Sequence, residues 1–172
     1  MAKSDSFFIR ATVDGTTGAF AQTTIDLGAY VDALGKSVLR IHNVNYSWYP
    51  TSTNGGAGDW SLAANASGFH VCQLTTQSQT GAVEASNKSV IGKSHLALSN
   101  TGTASARFTF ISQDADVGPE MYTQGYLVAT ENIFLGLDLQ NIGTDTSVDV
   151  ILECTVETMS QAAAMALALS QQ

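Results

Sequence analysis

Two apolar stretches near the C-terminus alternate in the way that a half-buried β-strand requires. In residues 133–139 every second residue is Ile or Leu, and in residues 148–156 every second residue is Val, Leu or Cys. Period-two alternation places one set of side chains in a core and the other in solvent. The segment 141–145 between them, Asn-Ile-Gly-Thr-Asp, has the composition of a turn. The pattern therefore predicts antiparallel β-structure, and no motif of comparable strength points to catalysis.

The chain is poor in charge for a globular protein. Of its 172 residues, 13% are Asp, Glu, Lys or Arg, about half the usual share. Depletion of charge is typical of surfaces buried between subunits, although a secreted adhesin or lectin can have a similarly neutral surface. The net charge is −8 and the sequence has no basic arm or stripe. We therefore expect no direct, sequence-specific contact with nucleic acid.

Neither a secretory signal nor a membrane span is visible in the sequence. The first residues lead directly into a short apolar segment without the longer apolar run of a signal peptide, which favours synthesis in the cytoplasm. Cys72 and Cys154 both fall in apolar strand patterns, so we expect buried free thiols and no disulfide. No stretch approaches the ~18 apolar residues of a spanning helix.

Alternating segments recur along most of the chain and predict about nine or ten strands, with turn residues between them. Asp14-Gly15 is a hairpin signal. Even-numbered residues from Val38 to Trp48 are expected on one face of a long strand, and a short strand is expected to begin at Trp60. The other predicted strands cover residues 7–13, 19–27, 69–76, 90–99, 104–112 and 125–130, with loops at 77–89 and 114–124. We expect one antiparallel sandwich or barrel domain, residues 1–157.

Residues 158–172 form a different kind of segment, an uncharged tail. Thr158 and Gln161 have the spacing of a capping box, and residues 162–169 contain only Ala, Met and Leu. A helix this short and apolar needs to be covered by other structure. It can fold back on its own domain, dock on a neighbouring subunit, or lie on a lipid surface, and the sequence leaves all three open.

Acidic residues are close together in one predicted loop. Asp114, Asp116 and Glu120 flank Gly118, and carboxylate oxygens at such spacing can bind calcium. The spacing differs from that of the helix-loop-helix calcium motif, and a solvated acidic turn explains the same residues. No other metal or cofactor is expected.

Aromatic residues border the Gly-rich segment 50–58. Trp48, Tyr49 and Trp60 can act as anchors in a subunit interface or as a stacking platform for a sugar, and we favour the anchors.

Other reactive residue types lack the partners that catalysis or metal binding needs. Gly92-Lys93-Ser94 has no Gly five residues earlier and no helix after it, so it is not a phosphate loop. His70 and Cys72 share a strand face that His42 could approach, but the close ligand pairs of zinc sites are absent. We interpret these three residues as core or interface residues. We expect that the protein is not an enzyme.

The order of the predicted strands, the long loops and the apolar tail resemble the single jelly-roll capsid proteins of icosahedral viruses. The resemblance covers most of the chain but includes no signature motif, so it transfers no functional residue. It implies two packed four-stranded sheets, trimers, pentamers or larger closed shells, and a location in the virion. Many such proteins of small RNA viruses carry a basic N-terminal arm, which this chain lacks. An inner face would therefore meet a membrane, another capsid protein or separately packaged DNA.

The predicted function is assembly of a capsid shell from β-sandwich subunits. Loops 50–58, 77–88 and 114–124 would contact neighbours, and the tail would bury its apolar side chains on a second subunit or an internal membrane. The predicted interface residues are Trp48, Tyr49, Trp60, Met159, Met165, Leu167 and Leu169. The alternative is a carbohydrate-binding or adhesin-type sandwich that forms trimers.

Overall fold

The computed structural model describes residues 3–32, 36–55, 60, 62–103, 110–141 and 143–171, without the side chains of residues 110–115. Within these ranges the chain forms nine β-strands and one α-helix. The strands are β1 (Phe7–Asp14), β2 (Phe20–Asp26), β3 (Ser37–Pro50), β4 (Ala66–Thr75), β5 (Val90–Asn100), β6 (Phe110–Val117), β7 (Tyr126–Val128), β8 (Asn132–Gln140) and β9 (Thr146–Thr158), and the helix is α1 (Gln161–Ser170).

The strands form two antiparallel sheets, ordered β1-β9-β3-β7 and β2-β8-β4-β5-β6. Their pairing is nested, since β1 pairs with β9, β2 with β8, β3 with β7 and β4 with β5. Successive pairs alternate between the two sheets, as in a long ribbon rolled upon itself. This order defines a jelly roll, here extended by the edge strand β6. The predicted fold class, an all-β antiparallel sandwich with a short C-terminal helix, is confirmed.

The two C-terminal alternating stretches supply opposite walls of the core. They form β8 and β9, which follow one another in sequence but lie in different sheets. Their inward side chains have no solvent exposure: Leu135, Leu137, Leu139, Val148, Val150 and Leu152. Interdigitation of apolar side chains from two inner faces is the usual way that a sandwich builds its core.

Two local predictions were wrong because tertiary pairing overrides short-range signals. Asp14-Gly15 does not make a hairpin, since β1 pairs with β9 and the chain crosses to the other sheet before β2. The Gly15 N–H donates to the carbonyl oxygen of Thr146, the first residue of β9, at 3.0 Å. The strand expected to begin at Trp60 is also absent among the described residues 60, 62 and 63, which are irregular.

A β-bulge in β3 changes the face to which its side chains belong. Ile41 pairs with Cys154 and Asn43 with Glu153, so His42 is the extra residue. Before the bulge Leu39 and Ile41 are buried in the core, and after it the core residues include Val44 and Trp48. The expectation that all even positions from Val38 share one face is therefore wrong, because one inserted residue reverses the alternation.

The strand pairing predicted for the middle of the chain agrees with the structure where it is described. β5 pairs with β6 from Ser99 and Phe110 onward. Residues 104–109 of the predicted strand 104–112 lie outside the described residues. β6 continues to Val117, so the predicted loop 114–124 begins later than expected.

Candidate functional site

The aromatic residues near segment 50–58 are tied to their own domain. Trp48 is 7% exposed and belongs to the core, with its indole N–H directed to Ser94 Oγ at 3.4 Å. The bulge in β3 turns Trp48 inward, so little of its side chain is left for the predicted contact with a neighbouring subunit. Trp60 is partly buried and donates to Thr146 Oγ1 at 3.0 Å. Tyr49 is partly buried and donates to Asp149 at 3.0 Å. Tyr49 and Trp60 keep some exposure, and their role as anchors stays a prediction.

The sequence predicted that the three acidic residues share one loop, and the structure shows that they do not. Asp114 and Asp116 lie in β6, and Glu120 follows in a 3-10 turn. Asp116 is paired with His95 of β5, with 2.6 Å between the carboxylate oxygen and Nδ1. Among the residues whose side chains are described, no three His, Cys, Asp or Glu side chains form a metal-binding group. Because the Asp114 side chain is outside that description, calcium binding at these residues stays a prediction.

The two cysteines are free and buried, as predicted. Desolvation raises the pKa of the Cys154 thiol to about 12 and that of Cys72 further still. A thiol must ionise to act as a nucleophile or to bind zinc, so burial disfavours both roles here.

Two histidines and one ion pair with buried or partly buried side chains have distinct surroundings. Arg40 forms a bidentate pair with Glu157, with 2.7 and 2.8 Å between nitrogen and oxygen atoms. His42 Nε2 lies 2.9 Å from Thr155 Oγ1. His70 has no solvent exposure, and neither ring nitrogen has a hydrogen-bond partner among the described residues. Desolvation lowers the pKa of His70 to about 4, so this ring is neutral at pH 7.

The N-cap of the C-terminal helix lies two residues later than the capping box predicted. Thr158 is the last residue of β9 and pairs with Ser37, so its backbone is committed to the sheet. Ser160 is the N-cap instead, and its side chain accepts a hydrogen bond from the Ala163 N–H. The predicted helix is therefore confirmed, but it starts later than expected.

The helix folds back on its own domain through its smaller residues. Ala164 and Ala168 are buried against Val38 of β3 and Ala129, with the partly buried Met159 and Leu167 packed beside them. Of the four tail residues predicted to reach a neighbour, Met159 and Leu167 are therefore directed to their own domain.

Two large apolar residues of the helix face solvent. Met165 is 42% exposed and Leu169 is 68% exposed, and Ala162 and Ala166 are exposed with them. These four residues have the spacing i, i+3, i+4, i+7, which places them on one stripe of the helix surface. We call them the outer stripe. A soluble helix normally turns such a stripe toward a core.

The sandwich itself has further exposed apolar side chains that the sequence reasoning did not select. Phe8 of β1 is 55% exposed and packs against Arg10, whose guanidinium carbon lies 5.7 Å from the ring centroid. Phe69 of β4 is also exposed, as are Met121 and Tyr122 after the second 3-10 turn. The alternation of the sequence could have identified two of them, since Phe8 and Phe69 occupy outward positions of their strands.

None of the described helices is long and apolar enough to cross a membrane. No model of a known protein family matches the chain, and no curated protein matches it either.

Similar solved structures come from viruses. The VP1 protein of Trichodysplasia spinulosa-associated polyomavirus, solved with a GM1 oligosaccharide, is 7% identical with a TM-score of 0.49, covering 89% of this chain and 95% of that one. Merkel cell polyomavirus VP1, solved as an unassembled pentamer, is 8% identical with a TM-score of 0.42, covering 89% and 96%. A chain of Desmodium yellow mottle tymovirus is 9% identical with a TM-score of 0.33, covering 90% and 87%.

The predicted resemblance to jelly-roll capsid proteins is confirmed for the fold by the strand order of this chain, and these structural neighbours add no argument about its function. Their TM-scores are below 0.5 and their identities below 10%. The jelly-roll assignment therefore rests on the strand order of this chain, and any function rests on its surfaces.

Proposed function

We propose that this chain is a structural protein that assembles into a viral capsid shell through contacts between jelly-roll subunits. The observation that carries the proposal is the set of large apolar side chains left in solvent around a closed sandwich. In the described part of the chain these are Phe8, Phe69, Met121, Tyr122, Met165 and Leu169. Exposed apolar groups on a charge-poor surface favour association with other protein surfaces.

The strength of each such contact suits a shell built from many copies. Complete burial of a leucine-sized side chain contributes roughly 1.5–3 kcal/mol, less the cost of ordering it. A single outer stripe is too small for a specific dimer, which buries about 1,200 Å² or more. Several such surfaces used together in a closed particle give stable assembly through weak individual contacts.

A second copy of the chain is the partner that the outer stripe fits best. Helices that lie on membranes usually carry Lys or Arg on their polar face, and residues 158–172 contain neither. The net charge of −8 further disfavours anionic lipid surfaces. Flotation with vesicles of neutral and anionic phospholipid tests the membrane as an alternative partner. Co-flotation of the protein would favour a lipid-facing tail.

Electron microscopy of the purified, untagged protein tests the function directly. We expect uniform closed particles, and deletion of residues 159–172 should give small soluble oligomers without shells. A stable monomer at high concentration would contradict the proposal. Normal particles from the truncated chain would show that assembly does not need the tail.

A glycan-binding module is the second candidate function, favoured by a polar groove near Trp60. Thr51, Thr144 and Asp145 line an open groove of about 450 Å³, and the adjacent Thr146 accepts a hydrogen bond from Trp60. Polar groups beside an exposed part of an aromatic ring can bind a sugar. Glycan affinity that Trp60→Ala abolishes, together with discrete trimers, would favour this alternative.

A further inference from the structure

His70 is a polar side chain enclosed in the apolar core between the two sheets. It has no solvent exposure, and neither ring nitrogen has a hydrogen-bond partner among the described residues. Its paired neighbours within the five-stranded sheet are Leu96 of β5 and Leu139 of β8, both fully buried. A polar group that is buried without a hydrogen bond destabilises the native state. Packing alone therefore does not account for a histidine at this position.

His70 lies near one end of the sandwich. β4 begins shortly before it at Ala66, which pairs with Asn100, the last residue of β5. In the opposite sheet β3 ends at Pro50, just after Trp48, and the ring centroids of Trp48 and His70 are 6.5 Å apart. Local opening needs least free energy where strands end. Water can therefore reach this ring without unfolding of the whole sandwich.

Trp48 and Leu62 close this end of the core. Leu62 is 2% exposed although it lies outside the strands. The Asn100 side-chain amide holds its segment by donating to the carbonyl oxygens of Leu62 at 3.2 Å and Ala63 at 3.0 Å. Trp48 directs its indole N–H across to Ser94 Oγ of the other sheet at 3.4 Å, which is longer than most N–H···O bonds. The closure thus relies on side-chain hydrogen bonds, one of them long.

The titratable groups on the inner faces around His70 stay neutral in acid. They are Cys72 on its own strand, Tyr46 on β3 and Cys154 on β9, and burial raises the pKa of all three. β5 and β8 contribute residues without ionisable groups to this face. The pKa of His70 is lowered to about 4 by desolvation, with no charged group among the described residues contributing to the shift. His70 is therefore the group of this core that takes up a proton when the pH falls.

We propose that His70 is an acid-sensitive switch that opens one end of the sandwich. A proton taken from water converts the ring to a cation, and none of the described residues around it supplies a counter-charge, so the apolar core excludes it. Trp48 and the segment that carries Leu62 then move away and admit water to the ring, while the remainder of the two sheets stays paired. The switch goes beyond the assembly function, because it operates within a subunit whether or not subunits associate.

The two native cysteines distinguish local opening from unfolding of the whole chain. Both thiols are fully buried. Cys72 is on the inner face of β4 with His70, whereas Cys154 lies toward the opposite end, where it pairs with Phe7, the first residue of β1. Dithiodipyridine, a thiol reagent that reacts in acid, should label Cys72 when the His70 end opens. Unfolding of the chain exposes both thiols equally.

We expect the labelling rate of Cys72 in unassembled full-length subunits, relative to an unfolded control peptide, to rise roughly 30-fold between about pH 7.5 and pH 5. This factor follows from a ring pKa of about 4 in the closed state and about 6.5 in the open state. Cys154 should label more slowly. His70→Gln keeps a polar side chain that cannot titrate, and His70→Leu an apolar one, so neither should show the rise. His95→Gln, outside the core, is the control and should behave as the wild type.

Three results would overturn the switch. The first is a Cys72 labelling rate in the wild type that does not increase in acid. The second is equal acid-dependent labelling of Cys72 and Cys154, which would mean that the whole chain unfolds. The third is a rise that persists in both His70→Gln and His70→Leu, which would assign the response to another group. None of these measurements requires particles, so failure of the assembly function would leave the test intact.

Discussion

Strand β8 and helix α1 are both rich in leucine, but they place it in opposite environments. Leu135, Leu137 and Leu139 of β8 have no solvent exposure, whereas Leu169 of α1 is 68% exposed. The strand directs its large side chains into the sandwich. The helix directs Ala164 and Ala168 to the domain and leaves Met165 and Leu169 in solvent.

This difference separates residues that maintain the fold from residues available for contact. A fully buried leucine contributes to stability in the isolated chain, because its area is already removed from water. An exposed leucine contributes nothing comparable until a partner covers it. The two regions should therefore respond to the same substitution in different measurements.

The largest effect is expected in the core. Leu137→Ala removes a buried side chain and leaves a cavity, so the free energy of unfolding should fall by about 2–5 kcal/mol. Leu169→Ala is the matched control and should change it by less than about 0.5 kcal/mol. Urea unfolding of both variants, under conditions where the subunits are unassembled, gives the comparison. Equal losses of stability would mean that α1 is part of the folding core.

Acid should weaken the sandwich through His70. The pKa of this buried ring is about 4 in the native state, against about 6.5 in an unfolded chain. Below pH 6.5 the unfolded chain binds a proton that the native state excludes. Stability is therefore lost as the pH falls from about 6.5 to 4, by about 3 kcal/mol in total, and this contribution is constant below that range.

A leucine at position 70 should remove this pH dependence. His70→Leu keeps a similar volume in an apolar site, and its unfolding free energy should vary less between pH 6.5 and 4 than that of the wild type. His95→Gln, a partly exposed histidine beside Asp116, is the control. An unchanged pH profile in His70→Leu would contradict this assignment. Residues 161–171 contain no ionisable side chain, so their contacts should be insensitive to acid over this range.

The sequence predicted much of the fold because alternation reports burial directly. The alternating stretches of β8 and β9 identified the core leucines and valines without any knowledge of pairing. Pairing was readable for the neighbouring strands β5 and β6. It was not readable at the start of the chain, since Asp14-Gly15 favours a hairpin locally while β1 joins β9. The bulge at His42 also left no signal, because an inserted residue changes the face of a strand without changing its composition.

The candidate site was predicted less completely for a similar reason. The tail was recognised as apolar, but which of its residues would face the domain depends on the small space over Val38 and Ala129, where alanine fits. Trp48 was selected as an interface anchor because its position relative to the bulge was unknown. The buried position of Gln171 could not have been predicted, since its side chain is held by the backbone groups of Leu127 and Ala129, which are distant in sequence.

The smallest effect on stability should accompany a large effect on assembly, at the outer stripe of α1. The double variant Met165→Ser and Leu169→Ser removes the two largest apolar side chains of the stripe while leaving the buried Ala164 and Ala168 unchanged. Serine has only a modestly lower helix propensity, so we expect a loss of about 1 kcal/mol or less in unfolding free energy.

Assembly of that double variant should require a higher protein concentration than the wild type. Each copy loses apolar area that a partner would bury, at about 25 cal/mol per Å². Light scattering against concentration measures this shift, with circular dichroism confirming that the sandwich is intact. The matched control is Thr24→Ser, at an exposed position of β2 that lies outside the predicted contact loops and the exposed apolar residues. If the double variant assembles at the wild-type concentration, the outer stripe is not a subunit contact. Assembly must then depend on other exposed residues, such as the aromatic residues on the surface of the sandwich.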